Sequence, residues 1–228
     1  MRDSRHAVSR RGVLRTLVGT AAVSSLSGIA AARPQTDTYG PLGQVEVDGT
    51  KEAVVEGDVA YLATTTGFAT VDVADPASPT VLADRRGLLA GRENGPLRQI
   101  YDVKVSGGNL LVAGPANGIQ NAVQGVLLYD VSDPADPSRT AVYETDFPIH
   151  NCYLDGTMAY LTGNDGQGNP LVVVDVAKGE ELGRWSPADE NEAWLDVWAG
   201  FRTLHDVYVH DGTAYLPYWD AGTWMVDV

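Results

Sequence analysis

Two histidines occupy equivalent places in this sequence, each at the start of a short segment rich in apolar residues. The repeated triplets read IHN at 149–151, LHD at 204–206 and IYD at 100–102. Imidazoles that lie beside carboxylates can bind a transition metal or carry out general acid–base chemistry. The pattern therefore predicts a divalent-metal or catalytic site if the fold brings the copies together. The candidate ligands are His150, His205, Asp102 and Asp206.

The same positions also fit a purely structural role, in which His or Tyr hydrogen-bonds the adjacent repeat. No residue can be given a catalytic role from the sequence. It lacks Gly-x-Ser-x-Gly, Cys-x-x-Cys, His-Glu-x-x-His and a phosphate-binding glycine loop that opens a helix. The candidate binding residues are Tyr101, Asn151 and Trp219.

These triplets belong to a larger repeat that has to position them. Each copy has an alternating segment, a glycine-bearing turn and a second apolar segment, the hallmark of an antiparallel hairpin. Aligned positions in the second segment are spaced by 50, 49 and 55 residues, close to the period of the blades in a radial all-β array. Those positions are Tyr61, Leu111, Tyr160 and Tyr215.

A third segment ends in Asp-Val in every copy. In the first two copies a proline-containing turn and a fourth apolar segment follow, whereas the third copy has Val-Ala-Lys-Gly at 176–179. Proline cannot donate to a strand ladder, so it marks a loop between strands. The predicted fold is an all-β propeller of four-stranded antiparallel blades, with about 3.5 blades present. Because the first strand of a blade lies nearest the central channel, the triplets are expected to meet at the channel mouth.

The strings FATVDVADPASP and GVLLYDVSDPADP carry a family resemblance. They resemble the LVIVD-repeat family of secreted β-propeller-like proteins, of the haloarchaeal type, over about residues 50–228. The resemblance implies a secreted propeller and no particular chemistry.

The first 32 residues have the composition of an export signal. Arg10 and Arg11 precede an Ala-rich apolar run that ends in Ala-Ala-Ala at 30–32, which predicts a twin-arginine signal peptide. The run is short and interrupted by Gly and Ser, although a retained anchor is an alternative. The protein is expected to be extracellular or at the cell surface, without a stable membrane span in the mature chain. A flexible lead-in at 33–49, with a weak strand at 44–47, should precede the blades at 50–228.

The charge balance is strongly acidic. The chain has 30 Asp and Glu against 16 Lys and Arg, with a net charge of −14; removing residues 1–32 takes away five Arg and Asp3, which leaves −18. Such a surface is typical of proteins adapted to salt, and an ordinary acidic secreted protein is the alternative. Nucleic acid is not an expected partner, since phosphates require clustered basic residues.

Several local patterns allow two interpretations. Four arginines at 85–98 could bind an anion or pair with nearby acids. Trp194 and Trp198 are spaced to share one face of a short helix, as a hydrophobic cap or as a sugar- or peptide-binding platform. The loop at 163–169 suggests either a Ca²⁺ site or turn chemistry. Cys152, the single cysteine, is expected to lie in the core.

The sequence favours a secreted, salt-adapted binding or interaction module, whose partner is an unknown protein or cell-surface component. The alternative function is a metal-dependent hydrolase or oxidoreductase at the channel mouth. The sequence stops within the third strand of blade four, so we expect an N-terminal fragment that lacks about two to four blades. If the chain is instead complete, the segment near 45–47 would have to supply the outer strand of that blade.

Overall fold

The computed structural model describes residues 40–228, and the predicted signal peptide lies outside them. The described chain forms four antiparallel sheets, here called blades one to four, each built from consecutive strands. Blade one contains β1 (Thr50–Glu56), β2 (Val59–Thr64), β3 (Gly67–Asp72) and β4 (Thr80–Arg86). Blade two contains β5 (Asp102–Ser106), β6 (Asn109–Gly114), β7 (Gly125–Asp130) and β8 (Ser138–Glu144).

The second half of the chain repeats this order. Blade three contains β9 (Ile149–Asp155), β10 (Met158–Gly163), β11 (Leu171–Asp175) and β12 (Glu180–Trp185). Blade four has three strands, β13 (Tyr208–His210), β14 (Thr213–Tyr218) and β15 (Gly222–Asp227). Between these blades lie a one-turn helix, α1 (Pro187–Glu190), and two 3₁₀ turns at Glu192–Asp196 and Ala199–Arg202. Within residues 40–228, no helix has the length and apolar character needed to cross a membrane.

Local turn chemistry explains the hairpins. Gly107 and Gly108 join β5 to β6 with φ of 56° and 79°, and Asp211 and Gly212 join β13 to β14 with φ of 49° and 73°. Positive φ at both central residues matches the twist of the flanking strands, and glycine adopts it at little cost. The glycine-bearing turns identified in the sequence therefore set the hairpin connections.

The aspartate that ends each third strand has a structural task. In blades one and two, Asp72 and Asp130 each accept a hydrogen bond through Oδ1 from the backbone N–H two residues later, at 2.9 Å. Such a bond starts a turn as soon as the strand ends. Lys178 N–H donates to Asp175 in blade three, at 3.3 Å. The recurring Asp thus terminates the third strand and directs the chain toward the fourth.

Apolar faces of successive blades pack against each other and form three separate cores. Phe68 and Leu110 lie in the core between blades one and two, Leu128 and Leu161 in the core between blades two and three, and Leu216 in the core between blades three and four. The first strands β1, β5 and β9 contact one another in succession. This face-to-face stacking of four-stranded antiparallel sheets confirms the propeller prediction.

Two local expectations were wrong. Residues 44–47 form no strand; they lie beside blade one, where Val45 and Val47 line a cleft together with Leu62. They therefore supply no outer strand to blade four. Trp194 and Trp198 do not share a helix, because the 3₁₀ turn that contains Trp194 ends at Asp196. The short-range turns of this link replace the helix that the four-residue spacing predicted.

The arginines at 85–98, the loop at 163–169 and Cys152 have the structural roles that the sequence allowed. Three of the four arginines meet acids: Arg85 lies 3.0 Å from Asp136, Arg92 lies 3.4 Å from Glu144, and Arg86 pairs with Asp84. In the loop at 163–169, Asp165 Oδ1 accepts backbone N–H bonds from Gln167 and Asn169 at 2.7 and 2.9 Å. Cys152 is a buried free thiol.

Candidate functional site

A pocket of about 240 Å³ with several polar side chains in its lining lies where blades two, three and four meet, and we call it the channel-mouth pocket. Blade two contributes the start of its β6–β7 loop, blade three the start of β9 and the residue after β10, and blade four its entry segment and the β14–β15 turn. The lining residues are Ala116, Asn117, Gly118, Pro148, His150, Asn164, Thr203, His205 and Trp219.

The two predicted histidines do come together in this pocket. The ring centroids of His150 and His205 are 5.3 Å apart, and the His205 ring lies 6.0 Å from that of Trp219. His150 begins blade three and His205 lies in the segment that leads into blade four, so the repeat period placed them side by side. Three aromatic rings from two blades thus form a row along the pocket.

Hydrogen bonds fix the backbone around both imidazoles. Thr162 Oγ1 accepts the N–H of His150 at 3.2 Å, and the His205 N–H donates to the Pro217 carbonyl at 3.0 Å. His150 Nδ1 lies 3.3 Å from the Ala116 carbonyl oxygen. Since a carbonyl only accepts, Nδ1 is the donor, and in the neutral ring Nε2 is then an acceptor. The pocket therefore contains an imidazole whose tautomer is set by the neighbouring blade.

Asn164 has an unsatisfied acceptor. Its Nδ2 donates to the Leu204 carbonyl at 3.2 Å, whereas its Oδ1 is buried and accepts no hydrogen bond within residues 40–228. The Leu204 contact fixes which end of the carboxamide is the oxygen, because two acceptors would otherwise oppose each other. A buried acceptor without a donor costs about 1–3 kcal/mol.

An exposed tryptophan lines the pocket, and two further exposed aromatic rings lie in the link that precedes blade four. Trp219 is 61% exposed, and Trp198 and Phe201 are 69% and 51% exposed with ring centroids 5.0 Å apart. Residues 201–203 run beside Trp219 and Asp220, because Trp219 N–H donates to Thr203 and Asp220 N–H to Phe201. Large aromatic residues are uncommon on free surfaces and frequent in binding sites.

The remaining tryptophans of the inter-blade link are structural. Trp185 and Trp194 pack against Trp224 of blade four, with ring centroids 5.4 and 6.5 Å away. They cap the boundary between blades three and four, as the hydrophobic interpretation of this link expected. Trp198 lies outside that cluster.

Asp102, a predicted metal ligand, does not lie in the channel-mouth pocket. It is fully buried; its Oδ2 accepts the Cys152 N–H at 2.7 Å, and its Oδ1 is paired with Lys104. Lys104 Nζ also lies 2.8 Å from Glu52 Oε1. Glu52, Asp102, Lys104 and Cys152 belong to β1, β5 and β9, and we call them the first-strand network. Asp102 thus joins the innermost strands of three blades and is not among the pocket residues.

Burial dominates the electrostatics of this network. It raises the pKa of the Asp102 carboxyl to about 7, although the Lys104 charge opposes the rise. Burial by itself would lower the pKa of the Lys104 ammonium, but its contacts with the carboxyl groups of Asp102 and Glu52 raise it instead. Lys104 is therefore protonated at neutral pH, where the Asp102 carboxyl is about half protonated. The Cys152 pKa is raised by burial, so its thiol is neutral.

The other candidate residues have separate surroundings. Asp206 is exposed, and its Oδ1 accepts the Val207 N–H at 2.8 Å. Asn151 Nδ2 donates to the His205 carbonyl at 2.6 Å, so it ties blade three to blade four below the imidazole row. Tyr101 lies under Lys51, whose Nζ is 5.4 Å from the ring centroid. Trp219 is the one candidate binding residue that lines the pocket.

Sequence reasoning missed the pocket residues that come from loops. Asn117, Asn164 and Thr203 belong to connections of different length in each copy, so no repeat position marks them. It also missed Lys104 and Glu52 as partners of Asp102. The alternation in β5 does place Lys104 two residues after Asp102, on the same face. That spacing was the available signal.

The pocket lining has few side chains that could bind a metal ion. Two imidazoles 5.3 Å apart could contribute two ligands, but no carboxylate or thiol lines the pocket. In the part of the chain that the structure describes, no group of three or more His, Cys, Asp or Glu is arranged to hold a metal ion. The lining is better suited to hydrogen bonding and ring stacking.

Comparison with known proteins identifies one repeat and the fold. Residues 49–84, which span blade one, match the LVIVD repeat family. No curated protein matches the chain significantly. The computationally designed protein Ika4 has a TM-score of 0.55 at 8% identity, over 81% of this chain and 94% of Ika4.

Apo AztD from Citrobacter koseri has a TM-score of 0.51 at 14% identity, over 78% of this chain and 44% of AztD. The designed protein Ika8 has a TM-score of 0.53 at 8% identity, over 78% of this chain and 46% of Ika8. This chain thus corresponds to less than half the length of either protein. At such identities the likeness concerns the fold alone. The chain is a β-propeller module with an LVIVD repeat at residues 49–84.

Proposed function

We propose that this protein is an exported binding module that captures a cell-surface component at its channel-mouth pocket. One observation carries the proposal: loops from three blades form a pocket that combines several polar side chains with the exposed ring of Trp219. A rigid β scaffold with functional groups on converging loops is the usual design of a binding protein. No geometry in the pocket favours hydrolysis or redox chemistry, so we do not propose an enzyme.

Export is part of the proposal and rests on Arg10 and Arg11 ahead of the apolar run at 17–32. Replacing both residues by Lys keeps the charge but removes the paired guanidinium groups. The double variant is expected to stay inside the producing cell, in a fractionation experiment where the parent chain appears outside. Equal export of both chains would contradict the twin-arginine route.

Binding can be tested by cosedimentation of the purified full chain with cell envelopes of the source organism, at high salt. Trp219→Ala removes the exposed ring at the pocket, whereas His210→Ala removes a solvent-exposed imidazole of β13 outside the pocket. The parent and His210→Ala should sediment equally, and Trp219→Ala should bind at least tenfold more weakly.

Unfolding temperatures of the three chains should agree within the usual range for surface changes. If Trp219→Ala sediments like the parent, or if the parent does not sediment with envelopes, the proposed function is wrong.

A further inference from the structure

The lining of the channel-mouth pocket has no carboxylate, ammonium or guanidinium group, although it belongs to an acidic protein. The chain carries 30 acidic and 16 basic residues, yet none of the nine lining residues is Asp, Glu, Lys or Arg. A buried charged ligand needs an opposite charge, since desolvation otherwise outweighs its contacts. The pocket therefore favours a neutral, polar ligand over a phosphate, a carboxylate or an acidic peptide.

The hydrogen-bonding groups specify the ligand further. The carboxamide of Asn164 lies in the pocket wall with its Oδ1 closed to solvent, and His150 Nε2 is an acceptor in the tautomer that donates from Nδ1 to Ala116. Asn117 adds a second carboxamide, and Thr203 adds a hydroxyl group. Acceptors of this kind need ligand O–H or N–H donors, which a ring with several hydroxyl groups provides at fixed spacing.

The ring of Trp219 supplies an apolar surface beside these polar groups. It is 61% exposed and lies 6.0 Å from the His205 ring, centroid to centroid. A pyranose has one face rich in C–H groups, which packs on an indole, while its hydroxyl groups point sideways. Few other neutral molecules combine an apolar face with a ring of donors.

The size of the pocket suits a single ring. Its volume of about 240 Å³ lies below the range of about 300–1,000 Å³ that is typical of sites for drug-sized ligands. We propose that the channel-mouth pocket binds one pyranose unit of a neutral saccharide, stacked on Trp219 and hydrogen-bonded to Asn117 and His150. This inference rests on the proposed function and names its ligand class.

The test uses the full chain and four probes, the methyl pyranosides of glucose, galactose, mannose and N-acetylglucosamine. Saturation-transfer NMR at high salt should show contact of at least one probe with the protein. Trp219→Ala and His205→Ala should weaken that binding at least tenfold, whereas Trp198→Ala, an exposed ring outside the pocket lining, should leave it within twofold. Absence of binding by all four probes, or equal loss in all three variants, would overturn the inference.

A second measurement separates this inference from the proposed function. Mild periodate cleaves the vicinal diols of saccharides and spares most protein groups, so envelopes oxidised in this way should retain less than a tenth of the binding. If the chain binds oxidised and untreated envelopes equally and binding still requires Trp219, the saccharide is wrong and the binding module stands. If untreated envelopes are not bound, the proposed function itself fails.

Discussion

At the scale of single residues, Asp102 and the two histidines show how one repeated position acquires different tasks. His150 and His205 reach the pocket, whereas Asp102 turns inward and connects the first strands of neighbouring blades through Lys104 and the Cys152 N–H. A buried carboxylate of this kind is tolerated because it has a cation and a backbone donor as partners. Its role is structural.

The raised pKa of Asp102 makes this network sensitive to pH. The folded-state pKa of about 7 exceeds the ordinary 3.8, so the folded protein binds the proton more tightly than the unfolded chain. The contribution of Asp102 protonation to the free energy of unfolding is fully present below about pH 4. It is lost as the pH rises through 7. Lys104 stays charged throughout this window, since its pKa is raised.

The variant Asp102→Asn tests this pH dependence, because it keeps the size of the side chain and removes the titrating carboxyl group. Denaturant unfolding of both chains between pH 5 and pH 8 should show the free energy of unfolding of the parent falling relative to the variant. The relative fall should be on the order of 2 kcal/mol. Ionisable groups outside the first-strand network cancel in this difference. A difference that does not change with pH would show that Asp102 does not titrate there.

At the scale of elements, close approach between strands explains a recurring glycine. Gly67 opens β3 and Gly125 opens β7, each five residues before the motif Asp. A Cβ at Gly67 would lie 1.8 Å from the Arg85 carbonyl oxygen, and one at Gly125 would lie 2.3 Å from that of Tyr143. The third strand therefore needs glycine where it meets the end of the fourth strand.

Gly67→Ala is expected to destabilise the protein by about 1–3 kcal/mol, because backbone atoms of β4 have to move. Gly183→Ala is the matched control, since a Cβ at Gly183 in β12 meets nothing within 4 Å. That variant should change the free energy of unfolding by less than about 0.5 kcal/mol. Thermal and denaturant unfolding would measure both, and equal effects of the two changes would refute the close-approach explanation.

At the scale of the whole molecule, the net charge of −14 determines how stability responds to salt. Ion pairs offset part of the repulsion, as for Arg85 with Asp136 and Lys178 with Asp175. Many acids remain on the surface, and salt shortens the range of their repulsion from about 10 Å at 0.1 M to about 3 Å at 1 M. Salt should therefore stabilise the folded chain.

We predict that raising KCl from 0.1 to 2 M increases the unfolding temperature by at least ~5 °C, which corresponds to about 2 kcal/mol. A variant with four exposed acids neutralised should show a smaller increase, because less repulsion remains to be screened. Its changes are Asp58→Asn, Glu93→Gln, Asp155→Asn and Asp227→Asn. The prediction fails if calorimetry finds the same salt response in both chains.

The sequence by itself determined the strands, their turns and their grouping into blades. These properties depend on local rules: alternation selects the buried face, glycine permits the turns, and Asp ends the third strand. The period of the repeat even brought His150 and His205 into one neighbourhood, since equivalent first strands meet around a common centre.

Only the tertiary structure decided which side chains share the pocket. Asn164, Thr203 and Trp219 come from connections that follow no repeat, and their positions depend on how three blades pack. The direction of the Asp102 side chain was likewise decided by its neighbours, because a buried carboxylate turns toward the cation and N–H that satisfy it. The period of the repeat brings residues about fifty positions apart into one neighbourhood, but blade packing decides which of their side chains touch.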